Sequence, residues 1–263
     1  TIMNTAKAPL VSECGGNNPC LIVPGVRPWT DKEIKHQAES LISMSKANGG
    51  AACGRPQTII TSKNWPQRLQ FLDAIRKAIV EDTFAVGTYY PGSEEKKENF
   101  LKNHPNAEVL KPENGKHPKS DVVFITDVKP DDYAIKNEAF CQITDEIQLD
   151  TENNAADFLS KATAFCNEKL SGTLGCMILI DNETHKEYQQ ALDKALLDLN
   201  YGGITVNGTP PLVFLNAYLT WGGCNETEEN FVSGIGNFGN PFCFENVEKS
   251  ILIDDFNAPG FSL

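Results

Sequence analysis

PCLIVPGVRPWTDKEIKHQAESLISMSKANGGAACGRPQTIITS, residues 19–62, reads as a strand, a helix, a glycine turn and a second strand. The run from Pro19 to Pro24 is short, apolar and closed by Pro-Gly, as a buried strand requires. From 31 to about 47, Ile34, Ala38, Leu41 and Ile42 recur at helical spacing, and Thr30 is placed to cap the first turn. Asn48-Gly49-Gly50 stops the helix, and residues 57–62 carry the β-branched residues of another strand.

Outward from this unit the alternation continues. A helix is expected from about Pro66, a good first-turn residue, with Leu69, Leu72, Ile75 and Ile79 on one face. Residues 93–118 are polar and lysine-rich, read as a helix followed by an exposed excursion. Strands are expected at 121–126, 140–149, 175–180 and 203–207, with helices from Ala155 and over 187–200. The run 251–256 reads as a last strand at an edge. Alternating strands and helices predict an α/β domain with a largely parallel, twisted sheet flanked by helices.

Composition narrows the function classes. The 263 residues are 40% hydrophobic and 22% charged, ordinary for a globular chain. A net charge of −12 without clustered Lys and Arg argues against nucleic acid. No apolar run approaches the ~18 residues of a membrane-spanning helix, and no basic amphipathic stretch suggests a membrane surface. The N-terminal residues lack the basic and apolar regions of a secretory signal. Eight cysteines would allow four disulfides, but they are scattered through apolar stretches of a core-rich chain. They read as reduced thiols, seven of them simply buried, which implies an intracellular compartment, cytoplasmic or organellar. The four histidines stand far apart and no Cys-x-x-Cys occurs, so no metal site is expected.

Three segments carry chemistry. Glu13-Cys14-Gly15-Gly16-Asn17-Asn18-Pro19 sets a carboxylate beside a glycine pair just before a strand. Asn48-Gly49-Gly50-Ala51-Ala52-Cys53 places a cysteine on a glycine turn, where backbone N–H groups would favour a thiolate. Asn137-Glu138-Ala139-Phe140 brings a second carboxylate to the start of another strand. Gly234-Ile235-Gly236-Asn237-Phe238-Gly239 fits the dinucleotide pattern, but Pro241 and the short remainder of the chain leave no helix for it to open.

In this order the three segments resemble the aldehyde dehydrogenase superfamily, whose motifs run Glu-Leu-Gly-Gly-Lys, Asn-x-Gly-Gln-x-Cys and Glu-x-Phe-Gly-Pro. The match continues through Ala162–Thr173, Tyr201-Gly-Gly-Ile-Thr-Val-Asn207, Thr220-Trp-Gly-Gly223 and Ser233-Gly-Ile-Gly236, and covers nearly the whole chain. The resemblance implies that residues 1–263 form an aldehyde-dehydrogenase-like catalytic domain working with NAD or NADP on an aldehyde. Cys53 would be the nucleophile, a thiol of lowered pKa that forms a thioester, with its own N–H as oxyanion donor. Glu13 would be the general base for hydrolysis. Glu138 would hold the nicotinamide ribose and Phe140 would pack near the nicotinamide. Assembly into a homo-oligomer or larger complex would use the strand at 251–256.

Departures from the family pattern are Cys14 for Leu, Asn17 for Lys, Ala51 for Gln, and Cys141-Gln142 for Gly-Pro. The chain also begins twelve residues before Glu13. The N-terminal cofactor-binding half is therefore expected to be missing, the chain being a fragment or one half of a split protein, inactive as a dehydrogenase alone. Two alternatives stand beside the enzyme: a non-catalytic structural or regulatory subunit, and an acyl transferase delivering to a thiol such as coenzyme A. Glu13 speaks against the last, because a hydrolytic base competes with transfer.

Overall fold

The computed structural model describes residues 10–84, 86–113 and 119–259. The N-terminal residues 1–9 and part of the polar excursion, 114–118, lie outside them. In chain order the elements are β1 (Asn18–Ile22), α1 (Asp31–Lys46), β2 (Pro56–Ser62), α2 (Arg68–Lys77), α3 (Ser93–Asn103), β3 (Glu108–Leu110), β4 (Val122–Ile125) and α4 (Tyr133–Lys136). They continue with β5 (Ile143–Leu149), α5 (Ala155–Lys169), β6 (Gly175–Leu179), α6 (Asn182–Glu187), α7 (Gln189–Asp198), β7 (Gly203–Val206), α8 (Pro211–Leu215) and β8 (Ser250–Ile253).

The described strands form one sheet of eight in the order β3-β4-β5-β2-β1-β6-β7-β8. Every neighbouring pair is parallel except β3 with β4. Alternate residues of β1 leave opposite faces of the sheet, as a pleated strand must. Cys20 and Ile22 join a core with Ile34, Leu41 and Ile42 of α1 and Phe71, Leu72 and Ile75 of α2. Leu21 joins the core on the other face, with Phe158, Leu159 and Ala162 of α5 and Leu192 of α7. Each such aliphatic or aromatic side chain contributes ~1.5–3 kcal/mol by leaving water, so the central strands are held from both sides.

Local chemistry fixes where helices begin. Thr30 accepts from the Glu33 amide while the Glu33 carboxylate accepts from the Thr30 amide at 2.7 Å, a reciprocal cap for α1. α2 starts at Arg68, later than Pro66 suggests, and Leu69 is 67% exposed. Its buried stripe is Phe71, Leu72, Ile75 and Ile79. At ~100° per residue Leu69 lies well around the helix from Phe71. The helix expected over 187–200 is two helices broken at Tyr188, the first starting early because Asp181 caps it through the Thr184 amide. β3 lies where only an exposed excursion was expected, since three residues are too few to show a period. The strand expected from Phe140 begins at Ile143.

Candidate active site

The three motif segments meet at the amino edge of the parallel sheet. Glu13 lies before β1, Cys53 before β2, Glu138 before β5 and Thr173 before β6. Ligands of open α/β sheets ordinarily bind beyond the carboxyl ends. Here the loops entering the strands carry the candidate residues instead.

The Cys53 turn is shaped by backbone that side chains tolerate poorly. Asn48, Gly49 and Gly50 have φ of 54°, 68° and 78° in succession. A Cβ on Gly50 would fall 2.4 Å from the carbonyl carbon of Cys141, and backbone cannot yield as a side chain does. Asn18 secures the far side: its amide donates to the carbonyls of Cys53 (2.6 Å) and Arg55 (2.9 Å) and accepts from Gly175 N–H at 3.0 Å. The half-buried thiol packs on a small cluster of Leu174, Val213 and Trp221.

Glu13 reaches that thiol. Its carboxylate accepts from the Trp221 indole N–H at 3.0 Å and lies close enough to act on Cys53. Burial first, then the Glu13 hydrogen bond and charge, push the Cys53 thiol up to about 12. The backbone amides of Cys53 and Gly54 pull the other way and lose. This corrects the expectation of a lowered pKa: the turn does supply N–H groups, but apolar packing and a neighbouring carboxylate outweigh them.

Glu138 comes up on the glycine side. The Gly16 amide donates to its carboxylate, and a Cβ on Gly15 would fall 1.8 Å from Oε1. Burial raises this carboxyl above its ordinary value; the Gly16 amide, Lys96 and Arg55 oppose the shift, and Glu13 adds to it. The loop carrying Glu138 is clamped by two amides. Gln57 accepts from Ala139 N–H at 2.8 Å and donates to the Asn137 carbonyl at 3.0 Å. Asn17 donates to the carbonyls of Ala134 (2.8 Å) and Ile135 (3.1 Å) and accepts from Thr58. A buried, neutral Asn17 in place of the family's Lys thus closes α4 onto β1. Phe140, at φ 50°, turns away to meet Tyr90 edge-on at 4.8 Å, with the Lys96 ammonium 6.0 Å from its ring centre.

Cys53, Glu13 and Glu138 are therefore brought together, and Phe140 stands at the margin. Trp221 and Asn18 were assigned no role from sequence, although both belong to quoted segments. Their sidedness depends on long-range pairing, Trp221 bridging to Phe238 across an irregular loop. All eight cysteines are free, but Cys14 and Cys243 are exposed, so five rather than seven are fully buried beside half-buried Cys53. Around Gly234 there is neither a strand before nor a helix after, and Gly234, Gly236 and Gly239 all have positive φ. Among the described residues, no group of three His, Cys, Asp or Glu could hold a metal, and no helix is long and apolar enough to cross a membrane.

No family model matches the chain, and no curated protein sequence does. Solved structures of aldehyde dehydrogenases share its fold. An NADP-dependent glyceraldehyde-3-phosphate dehydrogenase from Bacillus halodurans C-125, complexed with NADP, superposes with a TM-score of 0.68 at 14% identity. That match covers 89% of this chain and 45% of the other. Aldehyde dehydrogenase 21 from Physcomitrella patens, with its product succinate, gives 0.65 at 20% identity, covering 87% and 44%. A salicylaldehyde dehydrogenase from Pseudomonas putida G7, complexed with salicylaldehyde, gives 0.65 at 17%, covering 88% and 44%. The chain has an aldehyde-dehydrogenase-like fold and spans less than half the length of these proteins.

Proposed function

We propose that this chain carries the thiol and the base of an NAD- or NADP-dependent aldehyde dehydrogenase. The observation that supports the reading is one arrangement: the half-buried Cys53 thiol beside a Glu13 carboxylate that the Trp221 indole holds at 3.0 Å. Cys53 Sγ attacks the aldehyde carbon as the thiolate, its proton released to solvent, and the carbonyl oxygen becomes an oxyanion within reach of the Cys53 N–H. Bound NAD or NADP supplies the acceptor for the hydride that leaves the same carbon. The resulting Cys53 thioester is hydrolysed by water that Glu13 deprotonates, releasing the acid and restoring the thiol.

The residues present fit a nicotinamide riboside in one respect. Glu138 sets its carboxylate against the side-chain-free Gly15, and in this reading that carboxylate takes ribose hydroxyls, while Phe140, packed on Tyr90, would turn to lie beside the ring. Dehydrogenation is assigned to the chain joined to a cofactor-binding half, not to residues 1–263 alone. The edge strand β8, with Ile253 54% exposed, is the proposed assembly surface.

The test is a panel of aldehydes with NAD or NADP on the chain joined to such a half, beside Cys53→Ala and Glu13→Gln. Cys53→Ala should abolish hydride transfer, and Glu13→Gln should accumulate a thioester. Hydride transfer that survives Cys53→Ala would sink the mechanism. A non-catalytic subunit is the second reading, and what favours it is the burial of the Cys53 thiol against Leu174, Val213 and Trp221, which raises its pKa. An activated ester such as p-nitrophenyl acetate, which acylates a thiol without cofactor, separates the two: a subunit without catalysis gives no acyl burst at Cys53.

A further inference from the structure

The glycine loop that fits the dinucleotide pattern does hold an anion, one supplied by the chain itself. Glu226 Oε2 accepts from three successive backbone amides, Val232 (2.7 Å), Ser233 (2.7 Å) and Gly234 (2.9 Å). Its other oxygen accepts from the Thr173 hydroxyl at 2.7 Å. Three converging N–H groups form an anion-binding concavity, and hydrogen bonds to a charged acceptor are the strong ones. Thr173 stands just before β6, and its carbonyl accepts from Gly202 N–H at 2.8 Å. One carboxylate therefore ties the loop to the sheet.

The same loop holds the Glu13 segment. Cys14 N–H donates to the Ser233 carbonyl at 2.8 Å and Ser12 N–H to the Ile235 carbonyl at 3.0 Å. The Ser233 hydroxyl donates to the Gly15 carbonyl at 2.8 Å and accepts from Thr173 N–H at 2.8 Å. Approach is so close that a Cβ on Gly234 would fall 2.1 Å from the Ser12 carbonyl oxygen. The residues on either side of Glu13 are thus bonded to the two residues flanking Gly234. Nothing else in the loop carries charge into this contact, since Val232 to Gly236 are all uncharged.

We propose that Glu226 is a positioning residue for the Glu13 base, fixing through residues 232–235 the segment before β1 that aims Glu13 at Cys53. The inference rests on the proposed roles of Cys53 and Glu13. Without the carboxylate, three amides lose their acceptor and residues 232–234 lose their tie to Thr173. The Glu13 segment then keeps its partners but not their placement, and misplacement of about 1 Å can cost on the order of a hundredfold in rate. The loss falls on deacylation, where Glu13 must orient a water. Acylation of Cys53 by an activated ester depends on it less.

The experiment is p-nitrophenyl acetate hydrolysis by the 263-residue chain, read as burst amplitude and steady-state rate. Cys53→Ala should remove the burst, and Glu13→Gln should leave a burst with little turnover. Glu226→Ala and the milder Glu226→Gln should keep a full burst while turnover falls on the order of tenfold or more. Formate, small enough to occupy the vacated amides, should restore turnover to Glu226→Ala but not to Glu13→Gln. Unchanged turnover in both Glu226 variants overturns the proposal while leaving Cys53 and Glu13 standing. A parallel fall of burst and turnover also overturns it, since that marks a general loss of structure. A burst that survives Cys53→Ala, or full turnover in Glu13→Gln, removes the site itself and the inference with it.

Discussion

Glu13→Gln should change two rates at the same thiol in opposite directions. Cys53 stands at about 12 against an ordinary 9.0, so the thiolate at pH 8 is depleted roughly a thousandfold, one decade for each pKa step. Burial is the largest cause and survives the substitution. The charge and hydrogen-bond contributions of Glu13 do not, and removing a neighbouring carboxylate charge should return on the order of tenfold in thiolate. A thiolate of lower pKa is intrinsically less nucleophilic, with a Brønsted slope of about 0.4–0.5, so tenfold in population becomes about threefold in rate. Cys53 of the variant should therefore be alkylated by iodoacetamide about three times faster at pH 8. Hydrolysis of an acetyl group on the same sulfur should slow by ~10²–10⁴, the span of a positioned general base. Alkylation is followed residue by residue with peptide mass spectrometry, because exposed Cys14 and Cys243 also react. Slower alkylation of Cys53 in the variant would refute the electrostatic account, and unchanged deacylation would refute the base.

Trp221→Phe removes the N–H that holds Glu13 but keeps a ring over Gly54 and Gly203. Deacylation should fall about tenfold with a stability loss near ~1–2 kcal/mol, a charged hydrogen bond's worth; a wild-type deacylation rate would remove Trp221 from the site. Gly50→Ala, at φ 78° and against Cys141 backbone, should lower the unfolding free energy read from urea titration by more than ~1 kcal/mol. Gly15→Ala meets only the end of the Glu138 side chain and should cost distinctly less; equal losses would contradict that distinction. Six thiols, Cys20, Cys53, Cys141, Cys166, Cys176 and Cys224, are raised above 9.0, chiefly by burial. The unfolded chain gives up those protons first, so stability should fall as pH rises above about 9. Lys46, lowered to about 8 by burial, acts in the opposite sense, but one amine stands against six thiols. A urea midpoint unchanged between pH 8 and 10.5 would argue against buried, protonated thiols.

The alternation of strands and helices was legible because each long element carries its own period. α1 has its cap, stripe and stop within residues 30–50, and β1 and β2 are short apolar runs. That the Cys53, Glu13 and Glu138 segments meet was legible for another reason: glycines mark where backbone must come close, as at Gly15 and Gly50. What stayed hidden depends on partners far along the chain. Leu69 looks apolar and faces water because the packing of α2 on α1, not its own spacing, fixes the phase. The Cys53 turn displays N–H groups in its sequence, but the apolar cluster and the carboxylate that reverse their effect arrive from Leu174, Val213, Trp221 and Glu13.

The amino-edge location follows from the same physics. At the start of parallel strands the last unpaired amides point toward the incoming loops, and glycine turns add more of them. Such an edge suits anions, and the chain fills it with its own: Glu138 on the Gly16 amide, Glu226 on residues 232–234, Glu13 on the Trp221 indole. Cys14, exposed at the centre, has its thiol raised by burial and then by those same three carboxylates. At Cys53 burial comes first and Glu13 alone of the three adds to it, and together they disfavour the thiolate. Such a thiol is spared adventitious oxidation and alkylation, and attacks an electrophile through the small fraction present as thiolate. The raised pKa is on this view a property of the resting site, compatible with catalysis so long as the carboxylate that suppresses the thiolate is also the base that speeds hydrolysis of its thioester.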